Sequence, residues 1–174
     1  DVVIFAVKPQ VMEEVVPAYA SFKGLGAFYL SVAAGKPINF FESVLGADAA
    51  IVRTMPNTPA AVGRGITVLY ANAPTSDASK KLAEDLLAAV GETAWVEDEG
   101  LLDAVTAVSG SGPAYVFYLM ECLASAGASV GLPPDLAMHL ARATVCGAGE
   151  LAYREMTAAK TLRQNVTSPG GTTE

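Results

Sequence analysis

The sequence predicts two regions in series: an α/β layer with a largely parallel sheet over residues 1–98, then an all-α region over residues 99–174. Three observations lead there. Short apolar runs without polar alternation, the pattern of strands covered on both faces, recur in the first region. Helical segments fall between them, as in a layered α/β arrangement. After Glu97 no strand-like run follows, and Ala-, Leu- and Gly-rich helical sequence takes over. The 174 residues fit one domain or two small ones, and 52% apolar against 17% charged residues supplies a core and excludes a disordered chain.

Taken in order, "DVVIFAVKP" is a β-branched and aromatic run ended by Lys8-Pro9, a strand. Residues 10–22 read as one helix with Val11, Val15 and Val16 near one face and Pro17 as an irregularity. "AFYLSVAAG" repeats the strand pattern, and residues 38–46 form a short helix stopped by Gly46. "AIVRTMP" and "ITVLYAN" are further strands. "TSDASKKLAEDLLAAVG" is the clearest helix: Leu82, Leu86, Leu87 and Val90 share a face, Thr75 or Ser76 caps the start, and Gly91 terminates it. "TAWVED" is the last strand. In the second region, helices are expected over about 113–130, 134–154 and 158–165, with Pro133-Pro134 separating the first two and Asp135 at the positive end of the second. "GASVG" places Gly127 and Gly131 one turn apart, allowing close helix contact. The first helix of this region has no narrow apolar stripe, so it wants neighbours nearly all round, and a subunit interface would supply them.

A net charge of −7 and a pI near 4.7 argue against nucleic-acid or anionic-membrane partners, which need a basic footprint. Cys122 and Cys146 have no second cysteine or histidine at metal-ligand spacing, so no metal site is expected. They read as reduced, packed thiols of a cytosolic protein. His139 is read as a helix-face or partner contact rather than a catalytic residue. The stretch 114–132 is long enough to raise a membrane span, but Glu121 and its many small residues favour a helix of a soluble protein.

Three loops lie where a parallel sheet binds ligands, beyond the carboxyl ends of its strands: "AVKP" (6–9), "VAAG" (32–35) and "MPNTP" (55–59). Their small residues let a ring or ribose approach the backbone, and Lys8 adds a charge for a phosphate or ribose. Taken alone, any one of them is better explained as a plain strand-to-helix turn. A G-x-G-x-x-G turn is absent, and "GSGP" (110–113) reads instead as a tight entry into the next helix. In "NVTSPGGTTE" (165–174), the amides of Gly170 and Gly171 can converge on an anion, with Ser168 and Thr173 hydroxyls beside them and a helix start at Thr172 or Thr173. The stretch suits a charge-neutral carboxylate cradle, or a capped helix start after an ordinary turn.

Together "AVKPQ", "SVAAG", "VRTMPNTPAAVGRG", "DAVTAVSGSGPAYVF" and "NVTSPGGTT" resemble pyrroline-5-carboxylate reductase, in that family's order and along the whole chain. The resemblance implies a Rossmann-type N-terminal domain, incomplete here, followed by an all-α dimerisation domain that interlocks with a second subunit. It implies a cytoplasmic enzyme, homodimeric or a larger assembly of dimers, that reduces a cyclic imino acid with NADPH or NADH in the last step of proline biosynthesis. Residue by residue, Val7, Lys8, Pro9, Ala33, Ala34 and Asn57 would line the cofactor, and Asn165 would bridge cofactor and substrate. Glu99, Ser168, Gly171, Thr172 and Thr173 would face the substrate. Thr173 would donate to the imine nitrogen, and Glu99 would favour its iminium charge. The family pattern leads us to expect about 60 further residues before Asp1, carrying the glycine-rich phosphate turn, and a helix after Thr173. Two other readings stand beside it: a non-catalytic oligomerising fragment, and a hydroxy-acid dehydrogenase with Lys160 as its acid.

Overall fold

The computed structural model describes residues 1–168 and 170–172; Pro169, Thr173 and Glu174 lie outside the described residues. The chain divides into two compact units, Asp1–Pro113 and Ala114–Glu174.

The first unit is built on one five-stranded sheet in sequential order, β1 (Val2–Phe5), β2 (Phe28–Ser31), β3 (Ile51–Met55), β4 (Gly65–Ala71) and β5 (Gly91–Trp95). The pairings β1–β2, β2–β3 and β4–β5 are parallel, whereas β4 runs antiparallel to β3. The reversal follows from the link between them. Met55 and Gly65 are joined by a short segment holding one 3₁₀ turn, Thr58–Val62, too short for the crossover a parallel neighbour requires.

Between β1 and β2 the expected helix over 10–22 does not form as one piece. Residues Pro9–Val11 wind as a 3₁₀ turn, α1 covers only Met12–Val15, and Val16–Leu25 returns to 3₁₀ winding. Pro17 explains the break, because it has no amide to bond the carbonyl four residues back and its ring crowds that turn. Next, α2 (Ile38–Leu45) ends at Gly46, whose φ of 103° requires glycine, as the sequence led us to expect.

Apolar side chains fill both faces of the sheet. On one, Phe5 stacks on Tyr29 at 5.9 Å and on Phe41 of α2 at 5.8 Å, with Met12, Val16 and Ile51 buried around them. On the other, Phe28, Leu30, Val52 and Leu69 meet α3 (Asp77–Ala88) through Ala83. This corrects the expected face of α3. Ala83 and the half-buried Leu87, four residues apart, point inward, while Leu82, Leu86 and Val90 are exposed. Ser76 caps this helix, its Oγ accepting from the Ser79 amide at 3.2 Å. Thr75 does not, because it is buried in a polar knot: Asn72 Oδ1 accepts from the Ile51 amide at 2.9 Å and from Thr75 Oγ1 at 2.8 Å, while its Nδ2 donates to the Ala49 carbonyl at 2.9 Å. Nor does Gly91 terminate α3. The helix ends at Ala88, and Gly91 opens β5 opposite Gly65 with φ 149°, where a Cβ would collide with the Gly65 backbone.

A short helix, α4 (Leu101–Val105), and the wide π turn Thr106–Gly110 follow β5. α5 (Gly112–Ser129) then leads out of the first unit. The second unit also holds α6 (Pro134–Arg154) and α7 (Ala159–Asn165), close to the bounds the prolines and helix signals predict. At Gly127 a Cβ would lie 3.2 Å from Leu132 and 3.3 Å from Ala137, so this glycine does permit close approach; Gly131, at φ 104°, serves the turn instead. Among the described residues of this unit, the buried apolar side chains are the small Ala124, Ala137 and Ala141. Tyr115, Phe117, Tyr118 and Leu119 stay exposed, and so do Cys122 and Cys146, contrary to the expectation of packed thiols. α6 and α7 cover too little of α5 to bury them. Among the described residues no helix is long and apolar enough to cross a membrane.

Candidate active site

The three expected loops emerge at one margin of the sheet. The register that aligns Phe5 with Ser31 and Ser31 with Arg53 brings the carboxyl ends of β1, β2 and β3 side by side. After β1, Val7 and Lys8 are exposed and Pro9 half-buried, with the Lys8 carbonyl accepting the Val11 amide at 3.1 Å. After β2, Ala33 is buried, and its amide donates to Ser31 Oγ at 3.3 Å. Ala34 and Gly35 are exposed there, Gly35 at φ 72° with no atom within 4 Å of where a Cβ would sit. Val7, Lys8, Pro9, Ala33 and Ala34 thus share one margin.

Asn57, after β3, is half-buried and both ends of its side-chain amide are in use. Oδ1 accepts from the Ile66 amide at 3.0 Å, and Nδ2 donates to the Ser109 carbonyl at 3.2 Å. It ties the loop to the start of β4 and to the π turn. Gly110 closes the same junction, since a Cβ there would run into the Met55 methyl.

Glu99 lies in the loop before α4. Its Oε1 accepts from Arg53 at 2.7 Å and from the Ile38 amide, at the start of α2, at 2.8 Å. Arg53 is the residue sequence reasoning missed. An arginine inside the apolar run "AIVRTMP" must find a partner once buried, and that was the available signal. A separate recess of about 410 Å³ is lined by Ile66, Val68, Leu101, Val105 and Val108 among others; the hydroxyl on its wall, Ser109, donates to the Val105 carbonyl at 3.1 Å, and no charged side chain lines it to orient a carboxylate.

In the second unit, Asn165 closes α7 and is exposed, as are Ser168, Gly171 and Thr172. The expected catalytic residue, Thr173, lies outside the described residues. The Gly171 amide, expected to face an anion, donates instead to the Ser168 carbonyl at 2.8 Å. Gly170, at φ 69°, reverses the chain and brings that amide back onto it. A Cβ on Gly171 would sit 2.9 Å from the same carbonyl oxygen, so the turn tolerates only glycine there.

A family model described as pyrroline-5-carboxylate reductase dimerisation matches residues 99–174. A pyrroline-5-carboxylate reductase of Pseudomonas aeruginosa is 46% identical over 174 residues, which are 100% of this chain and 64% of that protein. Along its whole length the chain is similar to pyrroline-5-carboxylate reductases. Among solved structures, the pyrroline-5-carboxylate reductase of Coxiella burnetii superposes with a TM-score of 0.93 at 40% identity, covering 99% of this chain and 64% of that one. The Plasmodium falciparum pyrroline carboxylate reductase with NADP bound gives a TM-score of 0.86 at 32% identity, covering 99% and 65%. The chain therefore spans about 64% of the length of that Pseudomonas aeruginosa reductase.

The margin fits one part of a nicotinamide nucleotide. Alanines and an open glycine at the end of β2 let a flat ring or ribose reach the backbone, and Lys8 stands at the neighbouring strand end. No G-x-G-x-x-G turn follows a strand in these residues, so a pyrophosphate cradle of that kind is not part of the margin described here.

Proposed function

We propose that the protein reduces 1-pyrroline-5-carboxylate to L-proline, with NADPH or NADH as hydride donor. The observation that carries this reading is the alignment of three small-residue loops at one sheet margin in a chain similar to these reductases. When bound, the nucleotide supplies a hydride; this chain's residues bind and orient. Val7, Lys8, Pro9, Ala33 and Ala34 take the nucleotide against the strand ends, and Asn57 holds the neighbouring loop in shape. Asn165, Ser168, Gly171, Thr172 and Thr173 take the imino acid. With the Gly171 amide turned onto Ser168, the hydroxyls and the Asn165 side-chain amide form a neutral set that leaves the positive charge of the protonated imine uncancelled, which keeps its carbon electrophilic. Thr173 donates to the lone pair that the ring nitrogen gains as hydride reaches its carbon and the iminium becomes an amine. A hydroxyl is a weak acid, so orientation contributes more than proton transfer from the side chain itself.

Residues 1–98 form the nucleotide part and residues 99–174 the substrate and dimerisation part. The exposed apolar side chains of α5 support a homodimer built through the second part, and the family model's description is consistent with that. Dimers of dimers, and a reducing cytoplasmic setting for the unpaired thiols, complete the proposal. The hydroxy-acid reading is weaker, because Lys160 sits exposed near the start of α7.

NAD(P)H oxidation that depends on added 1-pyrroline-5-carboxylate tests the proposal in the full-length protein. Thr173→Ala should lower the rate roughly 100-fold. An unchanged rate removes Thr173 from the mechanism, and absence of imine-dependent oxidation in the unmutated protein removes the reductase reading altogether.

A further inference from the structure

The loop from Val32 to Pro37 is the part of the margin with the smallest side chains, and it is long enough to need holding. It leaves β2 after Ser31, which pairs with Arg53. It ends at Ile38, the first residue of α2. The first amides of a helix have no partner within it and are commonly satisfied by a Ser, Thr, Asp or Asn side chain at the cap. Here the cap position is Pro37, which has no such side chain. The acceptor comes instead from Glu99, 61 residues away in sequence, whose Oε1 takes the Ile38 amide at 2.8 Å. The same oxygen takes the Arg53 guanidinium at 2.7 Å. Both ends of the loop are therefore referred to one arginine, at the start by backbone pairing and at the end through the glutamate.

The pair is shielded enough to hold. The Arg53 and Glu99 side chains are 10% and 26% exposed, whereas another ion pair of the loop, Lys36 to Glu13 at 3.1 Å, ends on a carboxylate 75% exposed. Water competes for the second pair far more than for the first.

We infer that Glu99 is a positioning residue for the nucleotide: together with Arg53 it sets the shape in which residues 32–37 present their backbone, rather than contacting the imino acid. This rests on the reductase reading. It gives Glu99 a task that its bonded oxygen can perform, and it explains a buried arginine in β3.

The test uses the full-length protein with Glu99→Ala and Glu99→Gln. Steady-state KM is measured separately for NADPH and for the imino acid, with hydrogen exchange at the Ile38 amide as a readout independent of turnover. Glu99→Ala should raise KM for NADPH roughly tenfold, leave KM for the imino acid within about twofold, and speed exchange at Ile38. Glu99→Gln retains an oxygen for the Ile38 amide and should raise KM for NADPH only about threefold. A rise confined to the imino-acid KM, or no rise in either, overturns the inference. Should the alanine variant fail to fold, the split between the two KM values in the glutamine variant decides alone. If the unmutated protein shows no imine-dependent turnover, the reductase reading fails instead, and unprotected exchange at Ile38 in that protein would separately refute the cap.

Discussion

Replacing Asn57 by alanine discriminates between a side chain that contacts ligand and one that builds the loop ligands rest on. The structure assigns both ends of its amide, to the Ile66 amide at 3.0 Å and to the Ser109 carbonyl at 3.2 Å, in a half-buried setting. Each hydrogen bond contributes about 1 kcal/mol net, and leaving the Ile66 donor poorly solvated adds up to about 1 kcal/mol more. The expected loss is then about 2–3 kcal/mol. With a urea m-value of about 2 kcal/mol/M, the unfolding midpoint falls by roughly 1–1.5 M. Asn57→Asp sharpens the test. It keeps an oxygen for Ile66 but sets a carboxylate against the Ser109 carbonyl, so its loss should fall between wild type and alanine once the repulsion is included. Urea titrations followed by tryptophan fluorescence measure both, since Trp95 lies in β5 of the same sheet. A midpoint shift below about 0.2 M in Asn57→Ala, accompanied by lost nucleotide binding, would refute the structural assignment and make Asn57 a ligand contact.

Gly91→Ala places a Cβ on the Gly65 backbone at a φ of 149°, so both clash and strain oppose it. Thermal unfolding should come at least about 8 °C earlier, corresponding to about 3 kcal/mol, and a change under 2 °C would contradict the close pairing of β4 and β5. At the surface, the hydrogen bond from Lys23 at 2.7 Å holds the Asp48 carboxyl below its ordinary range. A depressed folded-state pKa means the contribution is present above the unfolded value and fades as pH falls through the folded one. Wild type should therefore exceed Asp48→Asn slightly in thermal midpoint near neutral pH, with the two converging in acid; a gap that widens on acidification would contradict the pairing.

Much of this arrangement is legible in the sequence where a single local signal decides it. Pro133-Pro134 and Asp135 fix the start of α6, and the apolar runs mark all five strands. What escapes is whatever depends on a partner distant in sequence. The direction of β4 depends on how far the Met55–Gly65 link can reach. Thr75 and Ser76 offer the same hydroxyl for a cap, and only the Asn72 knot decides which is free to serve. The inward side of α3 is small, at Ala83, because the sheet lies close, so leucine counting pointed to the wrong face. At the candidate site, the loops were legible from small residues after apolar runs. The engagement of Glu99 was not, since nothing near residue 99 announces an arginine in β3 and an amide in α2.

The reversal of β4 divides responsibilities within the first unit. Its far end delivers Asn72 to the beginning of β3, where the polar knot fastens the margin opposite the loops at 6–9, 32–35 and 55–59. Variation can then be directed separately. Changes around residues 72–76 tune how tightly the scaffold is knit, while changes at 6–9 and 32–37 reshape the loops proposed to hold the nucleotide. An engineer seeking a different cofactor preference can reinforce the first region in advance, as a reserve against the losses that altering the second would bring.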